Sequence, residues 1–225
     1  MSDQFKALIL DQKGEEFTRE VKSIDKNFLK HGDVTIKVDY SDLNFKDGMI
    51  LKNGGRLVKE FPHIPGIDFS GQVLDSENSN FKEGDEVHGT LDWSDFVLSD
   101  GFDGNGLPLS RCSPQFNLST NMITLGMTGL CAFIGLFEIG RPLPGDTVAV
   151  SAAAGGVGSI AIQLAKIAGC KTIGIAGGSK KTTSLREKLG VEIALNYKWI
   201  NKKNVKDAIN FYGNCIYSNY LRDLI

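Results

Sequence analysis

The stretch Thr147-Val-Ala-Val-Ser-Ala-Ala-Ala-Gly-Gly-Val-Gly-Ser159 decides the reading of this chain. A short strand suited to burial on both faces runs into a turn made only of tiny side chains. A helix is expected to start at Gly158-Ser159 and to run to about Ala168. Strand, glycine turn and helix in that order form the dinucleotide fingerprint, with Ala153, Gly155 and Gly158 in its three small-residue slots. A small side chain at 153 permits the turn, Gly155 lets the backbone approach a pyrophosphate, and Gly158 lets the helix pack on the strand. The first turn of such a helix presents unpaired N–H groups and the positive end of its dipole, which suits a phosphate. Gly155, Gly156, Val157 and Gly158 are therefore candidate binding residues. A glycine turn that serves only helix packing is the competing reading.

Downstream, Thr172-Ile-Gly-Ile-Ala176 reads as a second buried strand. Thr182 to Leu189 reads as a helix with Gly190 just past its end, and Ile193-Ala-Leu-Asn196 as a third strand. This alternation is a βαβαβ unit, hence a parallel sheet wound right-handed. The end of the second strand sets the nucleotide preference. A carboxylate about 20 residues beyond the glycines would bond a ribose 2'-hydroxyl. The chain has Ala176-Gly-Gly-Ser-Lys-Lys181 instead, with no carboxylate, one hydroxyl and two ammonium groups. That favours the 2'-phosphate of NADPH and adds Gly178, Ser179 and Lys181 to the candidates. Two solvated lysines opening a helix is the plainer alternative.

Upstream, Asn121 to Ile139 carries small and apolar residues at helical spacing, with Gly126, Gly129 and Gly135 marking close packing. Before it, Asp100 to Pro114 is rich in Gly, Pro, Asp and Ser and reads as a linker. The first hundred residues read as short strands and turns: Ala7–Leu10, Val34–Tyr40, Gly66–Leu74, Phe81–Val87 and Trp93–Leu98. Strands at this spacing with little helical periodicity predict a small twisted barrel. The expected domains are thus 1–115, β-rich, and 116–225, a partial parallel-sheet unit.

The chain has 225 residues, 41% hydrophobic and 23% charged, with a net charge of -2. Nucleic-acid binding would want a basic excess to neutralise phosphates. Four scattered cysteines without a CxxC pair argue against a zinc knuckle, a redox dithiol or a disulfide framework, so a reducing compartment is expected. The apolar run Ala7–Leu10 is too short for a signal sequence. No apolar stretch approaches the roughly 18 residues of a membrane helix. The expectation is a cytoplasmic globular protein that acts on a small molecule, without nucleic acid or membrane as partner.

These segments resemble the zinc-free, NADPH-dependent branch of the medium-chain dehydrogenase/reductase superfamily. Phe5–Leu10, Gly32–Gly48 and Phe61–Val73 are similar to acrylyl-CoA reductases and quinone oxidoreductases. Asp92–Gly101, Leu125–Gly140, Val150–Cys170 and Asn196-Tyr-Lys198 look more like prostaglandin and curcumin reductases. The resemblance implies a GroES-like β-barrel domain followed by a Rossmann domain, NADPH as cofactor, and a homodimer. It implies a 2'-phosphate contact for Lys181 and a cofactor contact for Tyr197. Asn219 corresponds to an asparagine that lies along the cofactor, although the two glycines that should follow are Leu221 and Arg222. Phe45 stands where one branch has a cofactor-contacting tyrosine. Family members run about a hundred residues longer, so the chain is expected to be C-terminally truncated with only a partial Rossmann unit.

No metal site is expected. Zinc-dependent relatives need a cysteine and a Gly-His-Glu in the barrel domain, and Ile67 stands in place of that histidine. His31, His63 and His88 lack companion cysteines and read as surface or turn residues. The implied activity is hydride transfer from NADPH to the β-carbon of an enone, enal or enoyl thioester, with a proton to the α-carbon, or reduction of a quinone. No catalytic proton donor is assigned. The alternative is a truncated, non-catalytic NADPH-binding protein.

Overall fold

The computed structural model describes residues 4–29, 32–53, 58, 60–90, 92–102 and 108–199, together with the backbone of 215–217. The chain divides into two units, Met1–Met127 and Thr128–Ile225.

In the first unit, β1 (Gln4–Lys13) and β2 (Glu16–Asp25) form an antiparallel hairpin. Alternation along β1 turns Phe5, Ala7 and Ile9 inward, where they meet Ile24, Leu29 and Ile64. β3 (Val34–Ser41), β4 (Phe69–Ser76), β5 (Glu86–Gly89), β6 (Phe96–Ser99) and β7 (Ser110–Arg111) form an antiparallel sheet in the order β6-β3-β4-β5-β7. A bridge between Ala7 and Ser94 ties the hairpin to it. Val34, Ile36, Phe69, Val73, Val87 and Val97 fill its core.

Three features here differ from expectation. β2 is a full strand, although only Ile24 of its ten residues is buried; a polar strand has no apolar alternation to read. α1 (Phe45–Asn53) is a helix in a region where only strands and turns were expected. Asn44 precedes it, and the Asp47 carboxylate reaches back to accept the Asn44 backbone N–H at 2.6 Å. His88, read as a surface or turn histidine, lies on β5 between β4 and β7 and is buried. Burial there pushes its pKa down and favours the neutral imidazole.

From Leu118 to Gly140 the chain winds continuously: α2 (Leu118–Thr120), wide turns over Asn121–Leu125, a break at Gly126, α3 (Met127–Phe133), and wide turns over Ile134–Gly140. Together these 23 residues, with an 18-residue window of mean hydropathy 1.8, are long and apolar enough to cross a membrane, correcting the expectation that no stretch approaches that length. The run was hidden by polar residues such as Asn121. That side chain is fully buried, and its amide donates to the carbonyls of Ser113, Phe116 and Asn117. Core helices of water-soluble folds share this length and composition.

The second unit is a parallel sheet in the order β10-β9-β8-β11, made of β8 (Thr147–Val150), β9 (Lys171–Ala176), β10 (Ile193–Asn196) and β11 (Cys215–Tyr217). α4 (Gly156–Ile167) links β8 to β9, and α5 (Ser179–Leu189) links β9 to β10. All four β8 residues are buried, as a strand covered on both faces must be. Val148, Val150, Ala153, Ile162, Ala165 and Leu185 pack as one core; Ala149, Ile173 and Ile175 form another. The expected unit stops after three strands. β11 adds a fourth on the far side of β8, so strand order reverses between β8 and β11.

Candidate functional site

In an open parallel sheet, ligands bind beyond the carboxyl ends of the strands, at the point where strand order reverses. Pairing of Val150 with Gly174 and of Asn196 with Ala176 lines up the ends of β8, β9 and β10 on one edge of the sheet. The sequence-predicted residues from Gly155 to Tyr197 occupy the connections that leave this edge.

The turn after β8 differs from expectation in one detail. α4 begins at Gly156, earlier than the expected Gly158-Ser159. Ala152 carries the left-handed backbone, with φ +48. Ala153 is fully buried, and its N–H donates to Ile175 O at 3.1 Å, fixing the turn to β9. Gly155 is the N-cap and has no side chain to satisfy the first-turn N–H groups. Residues 154–157 are exposed, so those donors face outward. Gly158 is buried, and a Cβ there would lie 2.4 Å from Ala152 O and 2.8 Å from Ala153 Cα. Its missing side chain is what lets α4 approach the strand end.

After β9 the chain turns through Gly177 and Gly178 into α5. Gly178 is its N-cap, with φ +92, a conformation that side chains disfavour. Ser179, Lys180 and Lys181 form the exposed first turn. From Ala176 to Arg186 there is no carboxylate. Tyr197, half exposed, covers Gly177 so closely that a Cβ on that glycine would come within 2.6 Å of its hydroxyl. An uncapped helix start after β8 and a cationic one after β9 thus leave the same sheet edge, a donor set for two separate anionic groups. Asn219 lies outside the described residues.

One residue beside this site escaped the sequence reading. Asn196, at the end of β10, is 4% exposed. Its Oδ1 accepts N–H bonds from Gly178 at 2.9 Å and Lys198 at 3.1 Å. The second contact is an Asx turn, which an asparagine closing an apolar strand could have signalled.

The first unit holds a carboxylate cluster that also escaped it. Asn44 donates its side-chain amide to Asp68 Oδ2 at 2.9 Å, and its backbone N–H bonds Asp47. Asp68 and Asp47 are both buried, and each keeps one oxygen without a partner among the described residues. Burial pushes the Asp68 carboxyl up to about 6, aided by the nearby charges of Asp42 and Asp47, against the Asn44 amide and the Met127 backbone. Asp47 is raised too, mainly by burial. Phe45 beside them is 87% exposed. Among the described residues no three His, Cys, Asp or Glu side chains converge as metal ligands would.

The strands, the glycine turn and the parallel order define a GroES-like domain followed by a Rossmann-type domain. Comparison with known proteins agrees. Residues 30–106 match the alcohol dehydrogenase GroES-like domain. The chain is 34% identical over 190 residues to prostaglandin reductase 1 of Mus musculus, covering 84% of this chain and 55% of that protein. It is 33% identical over 178 residues to a probable acrylyl-CoA reductase of Escherichia coli strain K12, covering 76% and 55%. Among solved structures, the yhdH oxidoreductase from Salmonella enterica in complex with NADP superposes with TM-score 0.74 at 29% identity, covering 87% of this chain and 62% of that one. Bacillus subtilis yhfP with NAD bound superposes with TM-score 0.75 at 28% identity, covering 90% and 63%. Residues 30–106 thus carry the alcohol dehydrogenase GroES-like domain, and the chain as a whole is similar to these reductases and oxidoreductases. It spans little more than half the length of the curated relatives it matches.

Proposed function

We propose that the chain is an NADPH-dependent oxidoreductase that reduces an activated carbon–carbon double bond or a quinone. The observation that carries the cofactor assignment is the run Gly177-Gly-Ser-Lys-Lys181, cationic and free of carboxylate, on the sheet edge that also bears the uncapped start of α4. One structural neighbour holds NADP and another NAD, so the preference for NADPH rests on this chain's own residues.

First-turn amides of Gly156, Val157 and Gly158 hold the diphosphate, with no side chain competing for them. Lys181 and Ser179 hold the 2'-phosphate, the lysine as a charge and the serine as a hydroxyl donor. Gly178 lets the backbone open there, and Tyr197 walls the same pocket. The nicotinamide supplies a hydride to the β-carbon of an enone, enal or enoyl thioester, and a proton at the α-carbon completes the reduction; a quinone takes the same two equivalents at its oxygens. A homodimer belongs to the same proposal, because the strands at the sheet's edges seek pairing; sedimentation tests it.

Titration of NADPH fluorescence, paired with turnover of an enone, tests the whole. Binding with turnover supports the oxidoreductase. Binding without turnover favours a non-catalytic NADPH-binding protein. Absence of binding removes both.

A further inference from the structure

We infer that Asn196 is a positioning residue for nucleotide choice, and that its side-chain oxygen sets the preference for NADPH over NADH. The inference rests on the proposed 2'-phosphate site and adds a residue assigned to it by neither spacing nor likeness.

A single acceptor joins the two segments that carry that site. Asn196 Oδ1 takes the Gly178 N–H at 2.9 Å from the β9–α5 turn and the Lys198 N–H at 3.1 Å from the turn after β10. The Tyr197 N–H donates to Ala176 O at 3.2 Å, so the two turns are stitched on both sides of Gly177. Gly178 sits at φ +92 and ψ 150, with open space where a side chain would project. Only the asparagine oxygen holds its N–H in place among the contacts described. Ser179 and Lys181 follow directly, so the direction in which α5 offers its hydroxyl and its ammonium depends on that bond.

The asparagine is costly as packing alone. It is 4% exposed, and its Nδ2 has no partner among the described residues. A buried donor left unbonded carries a desolvation penalty that an apolar residue of similar size would avoid. An asparagine here makes sense when its oxygen does something that leucine cannot. NADH lacks the group that α5 would face, so its affinity depends on α4 and not on this turn.

The experiment measures dissociation constants of the 225-residue chain for NADPH and NADH by fluorescence titration, with thermal midpoints recorded without ligand. Asn196→Leu removes the acceptor and keeps the bulk. Its NADPH-to-NADH preference is expected to fall about tenfold, a typical loss for hydrogen bonds to a positioned anion site, with NADH affinity changed less than about twofold. Leu185→Ala, which destabilises α5 through its core, is expected to lower the thermal midpoint and leave the preference intact. If Asn196→Leu does not fold, Gly178→Ala strains the same turn from the other partner and is expected to lower the preference likewise. Equal losses for both dinucleotides overturn the inference, as does an unchanged preference. A wild-type chain that binds neither dinucleotide, or shows no preference, defeats the underlying site assignment instead.

Discussion

The hydroxyl of Tyr197 rests over Gly177, 2.6 Å from where a Cβ on that glycine would stand. The contact is with the far end of a half-exposed side chain, which can swing aside. Gly177→Ala should therefore change affinity more than stability. The thermal midpoint is expected to move by less than about 2 °C, while NADPH affinity falls several-fold as the ring leaves its place. Tyr197→Phe, which keeps the ring, should fall less. Fluorescence titration of the two variants side by side checks this order.

Gly158 offers the opposite case. A Cβ there meets Ala152 O at 2.4 Å and Ala153 Cα at 2.8 Å, both main-chain atoms that cannot rotate away. Gly158→Ala must push α4 off the strand end. A loss of about 2 to 4 kcal/mol is expected in urea denaturation, along with the thermal shift that NADPH would otherwise produce.

Lys181→Glu reverses a charge in the exposed first turn of α5. NADPH affinity should drop at least about tenfold, because a carboxylate would then oppose the 2'-phosphate at short range. NADH, without that phosphate, should lose less than about twofold. Equal losses for the two would take Lys181 out of the site.

The buried Asp68 makes a prediction for pH. Its carboxyl is raised to about 6, so between the ordinary carboxylate value and that point the folded chain binds more proton than the unfolded one. Its contribution to stability is thus present at low pH and is lost as pH rises from about 4 to about 6; two units correspond to about 3 kcal/mol as an upper bound. Asp68→Asn should remove that dependence. The variant should gain stability over the wild type at pH 8 and little or none at pH 4. Denaturant midpoints at the two pH values decide it, and a variant that is less stable at pH 8 would contradict the assignment.

What could be read in the sequence was whatever the chain encodes locally. β8, α4, β9, α5 and β10 stood out because apolar β-branched runs alternate with glycine-marked helices. What could not be read depends on partners distant in the chain. Asn44 and Asp68 stand 24 positions apart, Asn196 and Gly178 stand 18 apart, and each pair means something only once strands bring it together. α1 was invisible for another reason: a glycine interrupts it at 48 and its first residue, Phe45, projects outward. Its capping pair, Asn44 and Asp47, was the one local signal available. The tiny residues of the β8–α4 turn were all noticed, yet which of them bears the left-handed backbone depended on the bond from Ala153 to β9.

That left-handed residue, Ala152, carries a methyl group where glycine would sit at ease. A methyl group excludes most of the shapes a glycine there could sample, so the loop is stiff before any guest arrives. The amides beyond it stay aimed, and under the proposed function capture of a dinucleotide would give up little freedom. Ala152→Gly would relax the bend and slacken the grip together, so the most comfortable residue for the fold would be the poorer one for the task.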